Sequence, residues 1–209
     1  MLYQHPDSVV QVFCKAPLPG QVKTRLMTEL TAEQAAQVHI DLTERLLARL
    51  HDAALCPLQL WCSPSTDHAF FQHLALRYPI SLHPQTDGGL GRRMADAIDT
   101  GLQQFKHVML MGCDCPTLTI ADLGQLLAAL NNHADVVLAP TEDGGYSLIG
   151  VKQPQPLVLS DIDMPWGTPQ VLARTRARLK QQRLVSYESA LQWDVDTPED
   201  WRRYQATYL

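Results

Sequence analysis

Positive charge gathers where this chain is least able to form regular structure. Between Cys14 and Leu26 the sequence reads CKAPLPGQVKTRL, with Pro17, Pro19 and Gly20 opposing helix and strand while Lys15, Lys23 and Arg25 supply cations. Proline stiffens the backbone, and glycine lets it turn or come close to a ligand. A flexible ammonium beside a planar guanidinium suits a diphosphate or triphosphate, one as a point charge and the other as a bidentate fork. A helical pattern follows, whose first N–H groups would favour an anion further. The loop has neither Walker A nor GxGxxG spacing. A solvated surface turn is the competing use for such a cluster.

Carboxylates form the second group. Asp114 follows the most apolar run of the chain, in MGCDCPTL. An aspartate beside a core is costly unless a charge or hydrogen bonds compensate it. A hard divalent cation, Mg²⁺ or Mn²⁺, bridging Asp114 and a phosphate would do so; an Asx turn would be the structural alternative. Cys113 and Cys115 flank it, point the other way on extended chain and match a hard cation poorly, so they read as packing residues. Asp194 and Asp196, in QWDVDTPEDW, share one face if extended. Asp196 competes with Thr197 to cap the last helix, whereas Asp194 has no evident structural task, which favours it as a ligand. Asp143 precedes Gly144 and Gly145; an ordinary Asp-Gly hairpin turn explains it equally well.

These residues need a scaffold that brings loops together. Short apolar runs at 8–14, 57–62, 80–85, 107–114, 135–141 and 146–151 read as strands. Amphipathic stretches at 31–54, 65–78, 90–105, 119–133, 168–182 and 197–208 read as helices, with Thr31, Ser65 or Thr66, Thr168 and Thr197 as their caps. Alternating strands and helices imply parallel βαβ units in a three-layer α/β/α sandwich with a mostly parallel sheet. Ligands of such sheets bind beyond the carboxyl ends of the strands. The loops KAPLPGQVKTR, QTDGGLG, GCDCP and APTEDGGY all follow strands.

Composition bounds the rest. With 209 residues, 45% hydrophobic and 19% charged, the chain has material for one domain over 1–209 with a sizeable core. A net charge of −5 argues against a nucleic-acid partner. The N-terminus lacks the pattern of a signal peptide and no run is long enough to span a bilayer. Five cysteines without a CxxC pair fit a reduced cytoplasmic protein rather than a disulfide scaffold or zinc site. The eight histidines have no HxH or HExxH spacing and receive no chemistry. Oligomeric state is not legible.

Taken together, KAPLPGQVKTRL, DGGLGRRM, GCDCPTL, DGGYSLIG, WGTPQVL and DVDTPEDW resemble the GT-A fold of nucleotide-diphospho-sugar transferases and nucleotidyltransferases. In order and coverage they are similar to the bacterial selenodomain-associated transferases, and more distantly to phospholactate guanylyltransferases. The resemblance implies that Lys15, Lys23 and Arg25, with Pro17 and Gly20 shaping their loop, contact nucleotide phosphates. Gly88, Gly89, Leu90 and Gly91 would lie against base or ribose. Asp114 would hold Mg²⁺ or Mn²⁺ with Asp194, and Asp196 beside it. Asp143, Gly144, Gly145 and Tyr146 would face the sugar or acceptor, with Trp166, Gly167 and Thr168 closing that side. GCDCP lacks the second aspartate of a DxD motif, which leaves two reactions open. One is glycosyl transfer from a nucleotide sugar; the other is nucleotidyl transfer from an NTP to a small phosphate- or carboxylate-bearing acceptor. A nucleotide-binding regulator without catalysis is the third expectation.

Overall fold

The computed structural model describes residues 2–209. Strand β1 (Ser8–Lys15) leads through the proline loop and a short 3₁₀ helix (Thr24–Thr28) to α1 (Ala32–Ala53). Then follow β2 (Leu58–Ser63), α2 (Ala69–Arg77), β3 (Ile80–Pro84), α3 (Leu90–Leu102) and β4 (His107–Met111). The second half comprises α4 (Ile120–Asn132), β5 (Val136–Pro140), β6 (Tyr146–Val151), α5 (Pro156–Leu159), α6 (Val171–Gln181), β7 (Ser186–Glu188) and α7 (Pro198–Tyr208).

One seven-stranded sheet runs in the order β3-β2-β1-β4-β6-β5-β7. All pairings are parallel except those of β6 with β4 and β5. Alternation along the strands divides the core as the two-residue period requires. Val10, Val12, Met109 and Met111 meet α1, α2 and α4, while Val9, Val108 and Leu110 meet α3, α5 and α6. The expected three-layer α/β/α sandwich is therefore the architecture. A third cluster, around Leu26, Leu42, Val195 and Tyr204, seals the 3₁₀ helix and α7 onto α1.

Local differences have local causes. Helix α2 starts at Ala69 and not at Ser65 or Thr66, because Ser65 Oγ accepts from Asp67 N–H in a tight turn and the His68 ring caps the helix instead. Helix α6 starts beyond Thr168–Pro169, whose threonine hydroxyl donates to Pro165 O within its own turn. Strand β4 ends at Met111, so Asp114 stands on a loop and not on the strand. The long helix α1 uses its first amides in a capping box of Thr31 and Gln34. Lys23 thus abuts the 3₁₀ helix and Arg25 lies within it, and the expected help from α1's amino end is not available to them.

Candidate functional site

The sheet's direction of winding reverses between β1 and β4. The chain proceeds outward from β1 through β2 to β3, then returns to lay β4 on the other side of β1. Loops leaving these two strands part from each other there and leave a crevice. Into it comes the proline loop, turned by Gly20 at φ +79° and by Lys23 in the left-handed region at φ +47°. That conformation costs a non-glycine residue on the order of 1 kcal/mol, and ion pairs hold Lys23 there. Its ammonium lies 2.9 Å from Asp114 Oδ2 and 3.0 Å from Asp196 Oδ1, with the side chain only 5% exposed. Arg25 stands 3.6 Å from Asp196 Oδ2 and is mostly exposed. The tail segment is tied in through Val195 N–H, which donates to Asp114 O at 3.0 Å.

Electrostatics follow from this crowding. Burial opposes the Lys23 charge, but Asp114 and Asp196 outweigh it and hold the ammonium above the usual lysine range. Burial likewise opposes ionised Asp114, and Lys23 overcomes it, so that carboxyl stays below its usual range. At Asp194 the help from Lys23 is outweighed. Burial, then the negative charge of Asp114, push its carboxyl well above the carboxylate range, with Asp143 and Asp196 adding to the effect. Its Oδ1 is buried with no hydrogen-bond partner. Several carboxylates thus face one buried ammonium, and the deficit of positive charge falls on Asp194. Oxygen donors and an orphaned carboxylate atom are what a hard divalent cation requires, so the residues present fit Mg²⁺ or Mn²⁺ at Asp114 and Asp194. Asp196 is instead occupied with Lys23 and Arg25.

A cleft of about 330 Å³ opens over this floor, lined by Lys15, Lys23, Arg25, Asp114 and Asp196 among others. A second recess of about 190 Å³ adjoins it, sharing Phe13, Leu90, Gly112 and Asp114, and continues to Tyr146 and Asp194. The basic loop and the aspartates therefore meet in one place. Pro17 and Gly20 shape the turn without lining the cleft. Tyr146 reaches the second recess, and burial pushes its phenol up.

Other expected contacts are displaced. Only Leu90 of the Gly88–Gly91 stretch reaches the cleft. Gly89 and Gly91 face the 159–161 segment, where a Cβ at Gly89 would strike the Asp161 carboxylate and one at Gly91 the Leu159 carbonyl. Asp161 accepts from Gly91 N–H at 2.8 Å and Arg92 N–H at 3.2 Å, so the amino end of α3 already holds an anion. Trp166 donates its Nε1–H to Asp161 at 2.8 Å and lines neither recess, and Thr168 is exposed beside it. Asp143 accepts from Thr141 Oγ1 and Gly145 N–H in the hairpin between β5 and β6. Gly144 packs on Pro169, where a side chain would meet backbone. The sequence reading missed Arg93, Gln85 and His39, which line the cleft. Arg93 was legible in principle, three residues after Leu90 on the same face of α3.

Comparison with known proteins agrees with the architecture. A family profile described as "Uncharacterized protein conserved in bacteria (DUF2064)" matches residues 46–168. No curated protein matches the chain. A structure from Desulfovibrio desulfuricans G20, provisionally described as a nucleotide-diphospho-sugar transferase, is similar at TM-score 0.86 and 26% identity. That match covers 97% of this chain and 90% of the other. CMP:2-keto-3-deoxy-manno-octonic acid synthetase complexed with CTP follows at TM-score 0.58 and 12% identity, covering 96% and 97%. Glucosyl-3-phosphoglycerate synthase from Mycobacterium tuberculosis, in complex with Mn²⁺, uridine-diphosphate and glucosyl-3-phosphoglycerate, has TM-score 0.53 and 11% identity, covering 96% and 76%. The latter two likenesses speak for the fold alone. With more than half of its length matched, the chain belongs to the DUF2064 family and is built on the GT-A-like fold of nucleotide-using transferases.

Proposed function

We propose that this chain is a divalent-metal-dependent transferase that takes a nucleotide-diphospho-sugar as donor, the whole of 1–209 acting as one domain. The observation that carries the proposal is the orphaned Asp194 carboxylate beside Asp114, under a cleft rimmed by cations. Asp114 and Asp194 would hold Mg²⁺ or Mn²⁺, which would supply positive charge to the departing diphosphate. Lys23 keeps Asp114 ionised and fixed between two strand ends. Lys15, Arg25 and Arg93, on the cleft wall, would bind phosphate oxygens. Phe13 and Leu90 would exclude water beside the ribose or base, while Tyr146 would border the sugar or acceptor in the adjoining recess. Asp143 acts through its charge, which is felt at Asp194.

Nucleotidyl transfer is the second reading, favoured by the number of cations around the cleft, which would match a triphosphate as well as a diphosphate. A small acceptor bearing phosphate or carboxylate would then attack the α-phosphorus. A regulator without catalysis ranks last, because its mark would be missing carboxylates and Asp114 and Asp194 are both present. Five unpaired, buried cysteines support a reducing, cytoplasmic setting. No helix of the described residues is long and apolar enough to cross a membrane. The test is incubation with a panel of NTPs and nucleotide sugars plus Mg²⁺ or Mn²⁺. Free nucleoside diphosphate is expected; pyrophosphate release would select nucleotidyl transfer. Absence of both products, together with absence of nucleotide binding, would end both readings.

A further inference from the structure

One cluster of buried side chains is not used by the proposed transfer. Cys14 near the end of β1, His39 in α1 and Cys113 beyond β4 bring one ligand atom each to within 4.8 Å of one another. All three side chains are buried. Cys14 Sγ lies 3.6 Å from His39 Nε2, and Cys113 Sγ lies 3.9 Å from His39 Nδ1. In a tetrahedral zinc site, Zn–S distances of about 2.3 Å and Zn–N distances of about 2.0 Å put the ligand atoms roughly 3.5–3.8 Å apart. The 3.9 Å between Cys113 Sγ and Nδ1 is close to that, and all three ligand atoms lie within 4.8 Å of one another before any ion draws them together. His39 Nε2 is also 2.9 Å from the Lys15 carbonyl oxygen. Donation of Nε2–H to a backbone carbonyl is how metal-bound imidazoles are commonly oriented, and it leaves Nδ1 facing Cys113.

Location adds to the argument. The three residues also form part of the cleft wall, so an ion has a route from solvent and an open fourth position. Thiolate and imidazole select borderline-soft cations, whereas the carboxylates of Asp114 and Asp194 select hard ones. Cys56 and Cys62 are buried as well, but neither belongs to the cluster.

We propose that Cys14, His39 and Cys113 form a binding site for a thiophilic divalent cation of the zinc class, distinct from the carboxylate pair at Asp114 and Asp194. Each thiol gives its proton to solvent on binding, so two protons leave per ion bound. The ion ties β1, α1 and the β4 loop together next to Asp114, and its occupancy raises the melting temperature. This site stands independently of the transfer reaction.

The test is titration of the metal-free, reduced chain with Co²⁺ alone, followed by Zn²⁺. One equivalent of cobalt should give intense thiolate-to-metal charge-transfer absorption that stoichiometric zinc abolishes. Cys14→Ser and Cys113→Ser should each lose that absorption, while Cys56→Ser and Asp194→Asn keep it. Should the serine variants fail to fold, zinc protection of wild-type cysteines against alkylation, read by peptide mass, must single out Cys14 and Cys113. A cobalt-saturated wild-type chain without charge-transfer absorption overturns the proposal, as does absorption that persists in Cys113→Ser or protection that falls on other cysteines.

Discussion

Lys23 carries the argument at the scale of single residues. Its place in a stiff basic loop suggests a hook for phosphate, but its ammonium is spent on Asp114 and Asp196, 91 and 173 positions away. No local pattern reveals such partners, because they meet only once the sheet has formed. The consequence is a division between buried and exposed cations of one loop. Lys23→Met removes the only ammonium bonded to Asp114 among the described residues, and leaving two partly exposed carboxylates without it costs about 1–3 kcal/mol. Urea unfolding should register that loss, and added Mg²⁺ should recover part of it, because a divalent cation can take over neutralisation of the carboxylates. Arg25 is exposed and only loosely paired, so Arg25→Ala should change stability by no more than about 0.5 kcal/mol while raising the apparent KM for nucleotide. Asp114→Asn should lower turnover steeply with the fold retained, since Lys23 keeps Asp196 as a partner. Wild-type turnover in that variant would remove Asp114 from the mechanism.

Elements were legible in the sequence wherever periodicity was strong and caps were local. Thr31 and Thr197 close capping boxes at the expected positions, and the runs at 107–111 and 136–140 are buried throughout. Misreadings occurred where a tertiary partner decides. Strand β7 is three residues long and partly exposed, so it carries no alternation to read. The glycines around Leu90 suggested room for a ligand, yet two of them make room for this chain's own 159–161 segment. That strap supplies the amino end of α3 with the Asp161 carboxylate, which no residue of α3 provides. Asp161→Ala should therefore cost about 0.5–2 kcal/mol, as loss of an N-terminal cap does. Gly91→Ala should cost about 1–3 kcal/mol through overpacking against the Leu159 carbonyl. Because both act through one segment, the double variant should be less destabilised than the two separate losses added together. Additive losses in urea unfolding would mean that strap and helix end are energetically separate.

At the scale of the whole molecule, the sheet explains why residues from 15 to 196 meet at all. The tips of β1, β3 and β4, with the start of antiparallel β6, meet at one rim, and the reversal between β1 and β4 opens the gap that the basic loop and tail segment fill. The Cys14–His39–Cys113 group illustrates the same limit of local reading, since metal motifs are recognised by short spacings and these ligands are far apart in sequence. Global stability should follow two histidines set in the same sheet. His83 stacks on Trp61 with ring centroids 4.9 Å apart, and burial holds its pKa below the ordinary 6.5. His107 faces Ser8 Oγ at 3.2 Å and is held down by burial, then by Lys106 and Lys152, with Asp7 opposing. In both cases the unfolded chain takes up a proton more readily than the folded one. Their contribution is therefore complete above about pH 6.5 and is lost as the pH falls from there through the folded-state values. Thermal unfolding followed between pH 7.5 and about pH 5 should show this as a decline of melting temperature towards acid, set against the opposite contribution of Asp194 and His39, whose values the fold raises. His107→Gln, which cannot take up that proton, should flatten the decline. A slope unchanged by the substitution would mean that the His107 imidazole is not kept neutral by the fold.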